Sequence, residues 1–514
     1  MDMHEEYSVA DPAQLLQAAS DFAYDPGFTP PTILGALQTK SDVPGLEDAL
    51  VTCLERVFKT KYGASLLPHF MPFVVIGLGA DSQKVRGLAC KTVYFLSENH
   101  EESPQLVREY NVYPLLLNCL TDGDEQVTTA SMDAITRLAS TSEGMEIIFP
   151  ADVDEPRHLG NLAARCSSLE RVRVLALIVK LFSISSSVAS VIYNSDLLAL
   201  LEADVRNAND TLMTLSVLEL LYELAEVQHS TEFLSRTTLL QLLGSIICNA
   251  STESILRSRA MMISGRLLSK ENTFMFIDES SVKTVISAID ERLGVLESPD
   301  ADADECECAL EALGQIGSSI QGATLLLLNA PPAARRVVHA AFNWQGRGKQ
   351  LAALHALGNI CGETRFDNTK MLNSGAEESL RRLIYETASN TSKLTPSGLF
   401  LSVLQEESEI RLACYRLITG LAARPWCLME ICSRQEIIDI VTDTYTETTK
   451  IGMEARHNCC QAIYKAFMSS SKLIGDPALA VVAEKLQEAV KKGPYLGRKQ
   501  HREAQPAVMT AERF

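Results

Sequence analysis

Two segments of this chain 44 residues apart, ALEALGQIGSS (309–319) and ALHALGNICGE (353–363), are close copies of one another. Both place apolar or small residues at i, i+3 or i+4, i+7 or i+8 and i+11, which is one stripe along an α-helix. The stripe first appears at Leu46, Ala49, Leu50, Cys53, Leu54 and Val57. It recurs at Val85, Leu88, Ala89, Val93 and Leu96, and again at Val127, Ala130, Ala134, Ile135 and Leu138. It returns near Val174, Met213, Leu256, Cys306, Gln350, Ile410 and Arg456. A helix with one apolar stripe cannot bury it alone, so repeated stripes demand that each helix pack on its neighbours.

The stripes are mostly about 40–47 residues apart, the period of HEAT and armadillo units. Two intervals are longer and contain the loop-like segments GVLESPDADADE and ETASNTSKLTPSG (386–398). Between stripes, PWCLMEICSRQEIIDIVTD (425–443) aligns without gaps on PQLVREYNVYPLLLNCLTD (104–122). NTFMFIDESSVKTVISAID (272–290) and NTKMLNSGAEESLRRLIYE (368–386) have the same length and apolar slots. Each unit reads as a short helix, a second helix, a polar turn and the striped third helix, with Pro, Ser or Asn at a first-turn or cap position. The expectation is an all-α armadillo/HEAT-type α-solenoid, a right-handed superhelix of about ten repeats. It spans residues 41–492, after an irregular N-terminal arm (1–40) that includes one short helix. A flexible basic C-terminal tail (493–514) follows.

Composition agrees and removes several function classes. Apolar residues make up 46% and aromatic residues 6%, which favours helices packed through aliphatic side chains. A formal charge of −19 opposes nucleic acid and anionic membranes as partners. The longest apolar run, FMPFVVIGLGA, is too short to span a bilayer. The acidic start, MDMHEEYSVADPAQ, and 13 cysteines scattered in apolar stretches fit a reducing, intracellular setting.

Motifs that could carry chemistry fail on spacing. Asp300, Asp302, Asp304 and Glu311 occupy four positions of a calcium loop, but Glu305 stands where the turn needs glycine. The acidic run fits a solvated turn that caps the next helix. Cys306/Cys308 and Cys459/Cys460 lack metal-ligand spacing, and GLGADS and GRGK lack the rest of a nucleotide loop. No G-x-S-x-G elbow or H-E-x-x-H pair occurs, and His355 sits in a repeat helix as a packed or surface residue. The chain is expected to be neither an enzyme nor a cofactor protein.

Two features bear on binding. Cations cluster at the start of third helices: Lys84 and Arg86, Arg171 and Arg173, Arg257 and Arg259, Arg347 and Lys349, and Arg411. On the concave face of a solenoid these would form a ladder for an acidic partner. The alternative is pairing with turn carboxylates such as Asp81, Glu170, Glu253 or Glu409. The other feature is Trp426, one of two tryptophans, next to Pro425, a repeat joint that matches Pro104. Leu428 fills the packing slot of Val107, Met275 and Met371. Trp426 takes the slot of Gln105, Ser187, Thr231, Thr273 and Thr369, all polar and expected to be exposed. It either plugs the terminal repeat or contacts a partner.

The C-terminal quarter carries a more specific likeness. LAARPWCLMEI, KAFMSSSKLIGDPAL and VKKGPYLGRK occur in that order. This resembles the 26S proteasome non-ATPase regulatory subunit 5 family, in which a similar Pro-Trp joint and Gly-Pro-Tyr end close the solenoid. The likeness runs from about Arg411 to Lys499; the tail beyond Tyr495 departs from it, and no role transfers to Arg498 or Lys499. It implies a non-catalytic chaperone that is monomeric when free and either cytoplasmic or also nuclear. Its partners would be the C-terminal domain of a proteasome base AAA ATPase subunit and associated base subunits, with release before the particle matures. The residues alone reach only a protein-binding scaffold, and a generic armadillo adaptor for nuclear transport, the cytoskeleton or a phosphatase is the alternative. Importin-type grooves need repeated tryptophans, and Trp344 and Trp426 make no ladder.

Overall fold

The computed structural model describes residues 16–17, 19, 30–38, 43–150, 158–207, 210–298, 301–343, 346–363, 365 and 372–495. Most of the arm, the tail after Tyr495, and Asp300, Trp344, Thr369 and Met371 lie outside the described residues. Within the arm, Pro30–Gln38 is a helix, and residues 16–17 and 19 are helical as well. Every regular element among the described residues is a helix. The chain clusters into two compact units, residues 1–242 and 243–514, each a stack of helices of the armadillo/HEAT type.

Each of the ten stripes is a helix. In the N-terminal unit these are Leu46–Phe58, Gln83–Asn99, Glu125–Leu138, Ser168–Phe182 and Thr211–Glu226. From Gln83–Asn99 onward each packs on the next. In the C-terminal unit Ser254–Leu268, Ala303–Ile316, Arg347–Cys361, Ser408–Leu421 and Lys450–Ser469 do the same. This neighbour-only packing is how a solenoid builds a continuous core from units that are not stable singly. The three-helix unit is clearest at Ser103–Glu109, Val112–Asp122 and Glu125–Leu138, where Val127, Ala134, Ile135 and Leu138 are all buried.

The glycine of the first ALxALG copy has a steric cause, which Gly265 of an earlier striped helix shares. A Cβ on Gly314 would lie 2.6 Å from the Ala356 Cα, and one on Gly265 would lie 2.9 Å from the Ala312 Cα. Glycine therefore lets consecutive striped helices approach backbone to backbone. Helix starts follow local chemistry as well. Ser82, Asp124, Asp210, Asp302 and Thr449 each accept a backbone N–H from the first turn of a striped helix.

Helix Lys61–Leu78 contains Pro68 and Pro72. Pro68 has no N–H to offer the Ala64 carbonyl, and His100 Nε2 donates to that oxygen instead, at 3.0 Å. His229 Nε2 similarly donates to the Phe182 carbonyl at a helix C-terminus, at 2.8 Å.

Several expectations need correction. Met275 does not share the buried slot of Val107 and Leu428; it is 80% exposed. Thr231 and Thr273 are not exposed like Gln105 and Ser187, but 1% and 0% accessible. In both units the joint is tightened, by a five-residue helix at Ser230–Leu234 and a 3-10 turn at Glu271–Met275. Thr273 Oγ1 turns inward and donates to the Leu267 carbonyl at 2.7 Å, so the register of the aligned slots slips. The insert at 386–398 is less loop than its composition implies. Helix Ser374–Ser389 runs into it, and Pro396–Leu404 begins within it at a proline in its first turn.

Candidate functional site

The basic residues at the starts of striped helices are placed by the N-terminal turns just described, and most reach a neighbouring layer. Lys84, exposed, pairs with Asp48. Arg86 is half-buried and directs Nη2 to the Asn118 carbonyl at 3.4 Å. Arg171 Nε meets Asp204 at 2.8 Å, and its Nη1 donates to the Ala163 carbonyl. Arg173 Nη1 donates to the carbonyls of Thr121 and Gly123 at 2.6 and 2.9 Å, at the end of the Val112–Asp122 helix. A cation suits that negative dipole end.

In the C-terminal unit the pairing goes deeper. Arg257 and Arg292 each fork onto Glu305, with four N–O distances between 2.6 and 2.9 Å. Glu305 is 1% exposed, so the acidic turn is not solvated throughout: Asp302 caps, while Glu305 is driven inward by two guanidinia. Burial pushes its carboxyl up, but the bonds from Arg257 and Arg292 outweigh this and bring it down to about 2. Arg259 is half-buried and also engaged. Arg347, exposed, pairs with Glu407 and Glu409 at 2.8 and 2.7 Å. Lys349 is half-buried, beside Cys306 and His339. Arg411 binds the buried Glu447, which also accepts from Tyr415 Oη and Ser408 Oγ at 3.2 Å each.

The carboxylates differ from those expected. Glu170 accepts the Ser167 backbone N–H at 2.9 Å as part of a capping box, leaving Asp204 to Arg171. Glu409 meets Arg347 from the preceding repeat, and Arg411 takes Glu447.

Trp426 is half-buried, in the first turn of Pro425–Ser433. Its ring lies 5.8 Å from that of Tyr385, over which the Arg381 guanidinium sits at 5.6 Å. The Tyr385 hydroxyl donates to Glu430 at 3.0 Å, which ties the Ser374–Ser389 helix to the joint. Trp426 thus packs between two repeats while keeping an accessible edge.

Sequence reasoning missed Arg424, the residue before Pro425. It is 4% exposed and forks onto Glu377 at 2.8 and 3.1 Å while donating to the carbonyls of Cys361 and Gly420. Arg365 was missed as well, and Arg456 was read only as a stripe position. Arg365 donates to carbonyls from Gly317 to Ser319 and at Asn359 and Ile360. Arg456, fully buried, donates to the Val441 carbonyl at 2.8 Å. Their signal was an arginine in an apolar stripe slot or beside a helix end, which reads in sequence as an ordinary surface charge. Among the described residues there is no cluster of three His, Cys, Asp or Glu side chains that could hold a metal. Among them no helix is long and apolar enough to cross a membrane.

The sequence matches the family described as Proteasome non-ATPase 26S subunit over residues 48–513. The chain belongs to that family. Human 26S proteasome non-ATPase regulatory subunit 5 is 19% identical over 87% of this chain and 84% of its own length. The mouse protein of the same name is 20% identical over the same shares. The solved structure of an engineered protein aligns with 90% of this chain and 98% of its own at 14% identity and a TM-score of 0.42.

Proposed function

We propose that this protein is a non-catalytic scaffold that holds an ATPase subunit of the 26S proteasome regulatory-particle base during assembly and leaves before the particle matures. The family match across residues 48–513 carries the reading, and relatives named regulatory subunit 5 of the proteasome support its proteasome side. Its partners are the C-terminal domain of that ATPase and associated base subunits. The free protein is a monomer in the cytoplasm, with access to the nucleus.

The chemistry of the chain supports binding over catalysis. Many of the basic residues at helix starts are engaged in holding neighbouring layers together, and helix stacks of this type present surface for partners. Full-length tagged protein purified from cells should bring down free base ATPase subunits and be absent from purified 26S particles. Recovery of no proteasome subunit, or constant presence in mature particles, would overturn the proposal.

A further inference from the structure

A cavity of about 580 Å³ lies within the C-terminal unit, where Gly362 and Glu363, the Arg424–Pro425 joint and the end of the Lys450–Ser469 helix meet. Arg365, Arg424, Lys465 and Lys472 line it, with Glu363 the one lining carboxylate among the described residues. Glu363 is already held by Arg416 through bonds of 2.7 and 3.2 Å, and Arg424 is neutralised by Glu377. Arg365 donates only to carbonyls among the described residues, so its charge has no carboxylate partner there. Burial, with some help from Arg424, pushes its pKa down, against opposing pulls from Cys361, Glu271 and Glu377. Neither ammonium of Lys465 and Lys472 has an ion pair or hydrogen bond among the described residues, and both side chains are exposed. The Ser470 and Ser471 hydroxyls at the same wall also donate to no acceptor among the described residues.

Among the described residues, three cations without a carboxylate partner thus line one cavity in a chain of net charge −19. A cationic patch in an acidic chain attracts an acidic ligand and fixes its position. The volume is that of a pocket for a ligand of many atoms, larger than a single inorganic ion needs. Between the cations the wall is apolar, from Leu372, Pro425 and Leu428, with Ala462 and Ala466 leaving room for a chain.

We infer that this cavity receives a short acidic stretch of a protein partner, its carboxylates on Lys465, Lys472 and Arg365 and an apolar side chain against Pro425 and Leu428. The inference rests on the reading that this protein binds other proteins.

The test titrates full-length protein with a fluorescein-labelled peptide of sequence EELEELD at about 50 mM salt, where charge steering is least screened. Lys465→Glu/Lys472→Glu should weaken binding at least about tenfold, the equivalent of about 1.4 kcal/mol, with an unchanged melting temperature. Lys59→Glu, an exposed position in the other unit, should leave binding as it was. Absence of peptide binding, or equal loss in both variants, overturns the inference. So does equal binding of a Leu→Ser peptide with full displacement by pyrophosphate, which would make the cavity a small-anion site. The same variants are carried through the capture of base ATPase subunits. If wild-type protein captures none while the peptide behaves as expected, the proteasome reading fails and the cavity assignment stands. Undiminished capture by the double variant overturns the cavity as the partner's site.

Discussion

At the scale of single residues, the decisive positions are a few glycines and buried arginines. Gly314 meets the Ala356 backbone so closely that any side chain must push two helices apart. Gly314→Val should cost about 1–3 kcal/mol, read as a lower denaturation midpoint with an unchanged m-value. Glu305 is the more consequential group because two guanidinia depend on it. Glu305→Gln leaves both poorly compensated and should destabilise by about 3–5 kcal/mol.

Its pH dependence follows from the depressed carboxyl. The unfolded group titrates near 4.5 and the folded one at about 2, so below 4.5 the unfolded chain binds more protons. The stabilisation from Glu305 is therefore complete above 4.5 and drains away as pH falls toward 2. Denaturant titrations between pH 5 and about 3 should show a shallower decline for Glu305→Gln than for wild type.

At the scale of elements, the joints between helices decide which side chains go inward. The Lys61–Leu78 helix tolerates Pro68 because His100, from the following helix's end, donates to the freed carbonyl. His100→Ala should cost about 1–2 kcal/mol, with His100→Asn recovering part of it, since only a donor is needed. Trp426 closes a joint in the same sense, spanning from its own helix to Tyr385 on the one at Ser374–Ser389. Trp426→Ala should lower stability by about 1–2 kcal/mol, less than a fully buried tryptophan, because part of the ring stays accessible. If stability is unchanged and only partner capture falls, its role is contact and not packing.

At the scale of the whole molecule, most cations of the ladder engage neighbouring layers, and the proposed binding role is tested at those that stay exposed. The exposed cations of the ladder, Lys84 and Arg347, sit in surface ion pairs worth little to stability. Exchanging either for glutamine should leave the melting temperature nearly unchanged, so any loss of ATPase capture would be read as contact. The buried Arg257 and the half-buried Arg411, held by the buried Glu447, cannot be tested that way, because their loss damages the fold first.

What the sequence by itself determined was the periodic part. Stripes at Leu46, Val127 or Ile410 need only local helix geometry and apolar side chains, so helix positions, repeat number and neighbour packing were legible. The family likeness was legible in short ordered motifs around Arg424–Trp426 and Gly493–Tyr495, and the family match runs over residues 48–513. The partners of charges were not. Arg171 meets Asp204, Arg257 meets Glu305, and Arg424 meets Glu377 across 33, 48 and 47 residues. Which carboxylate arrives depends on how far one helix is rotated and shifted against the next. The same dependence turned Thr273 inward and left Met275 in water, although both occupy slots that pattern alone assigned the other way. Periodicity is a property of one helix, whereas burial of a polar group belongs to the contact between two, and only the tertiary structure decided that.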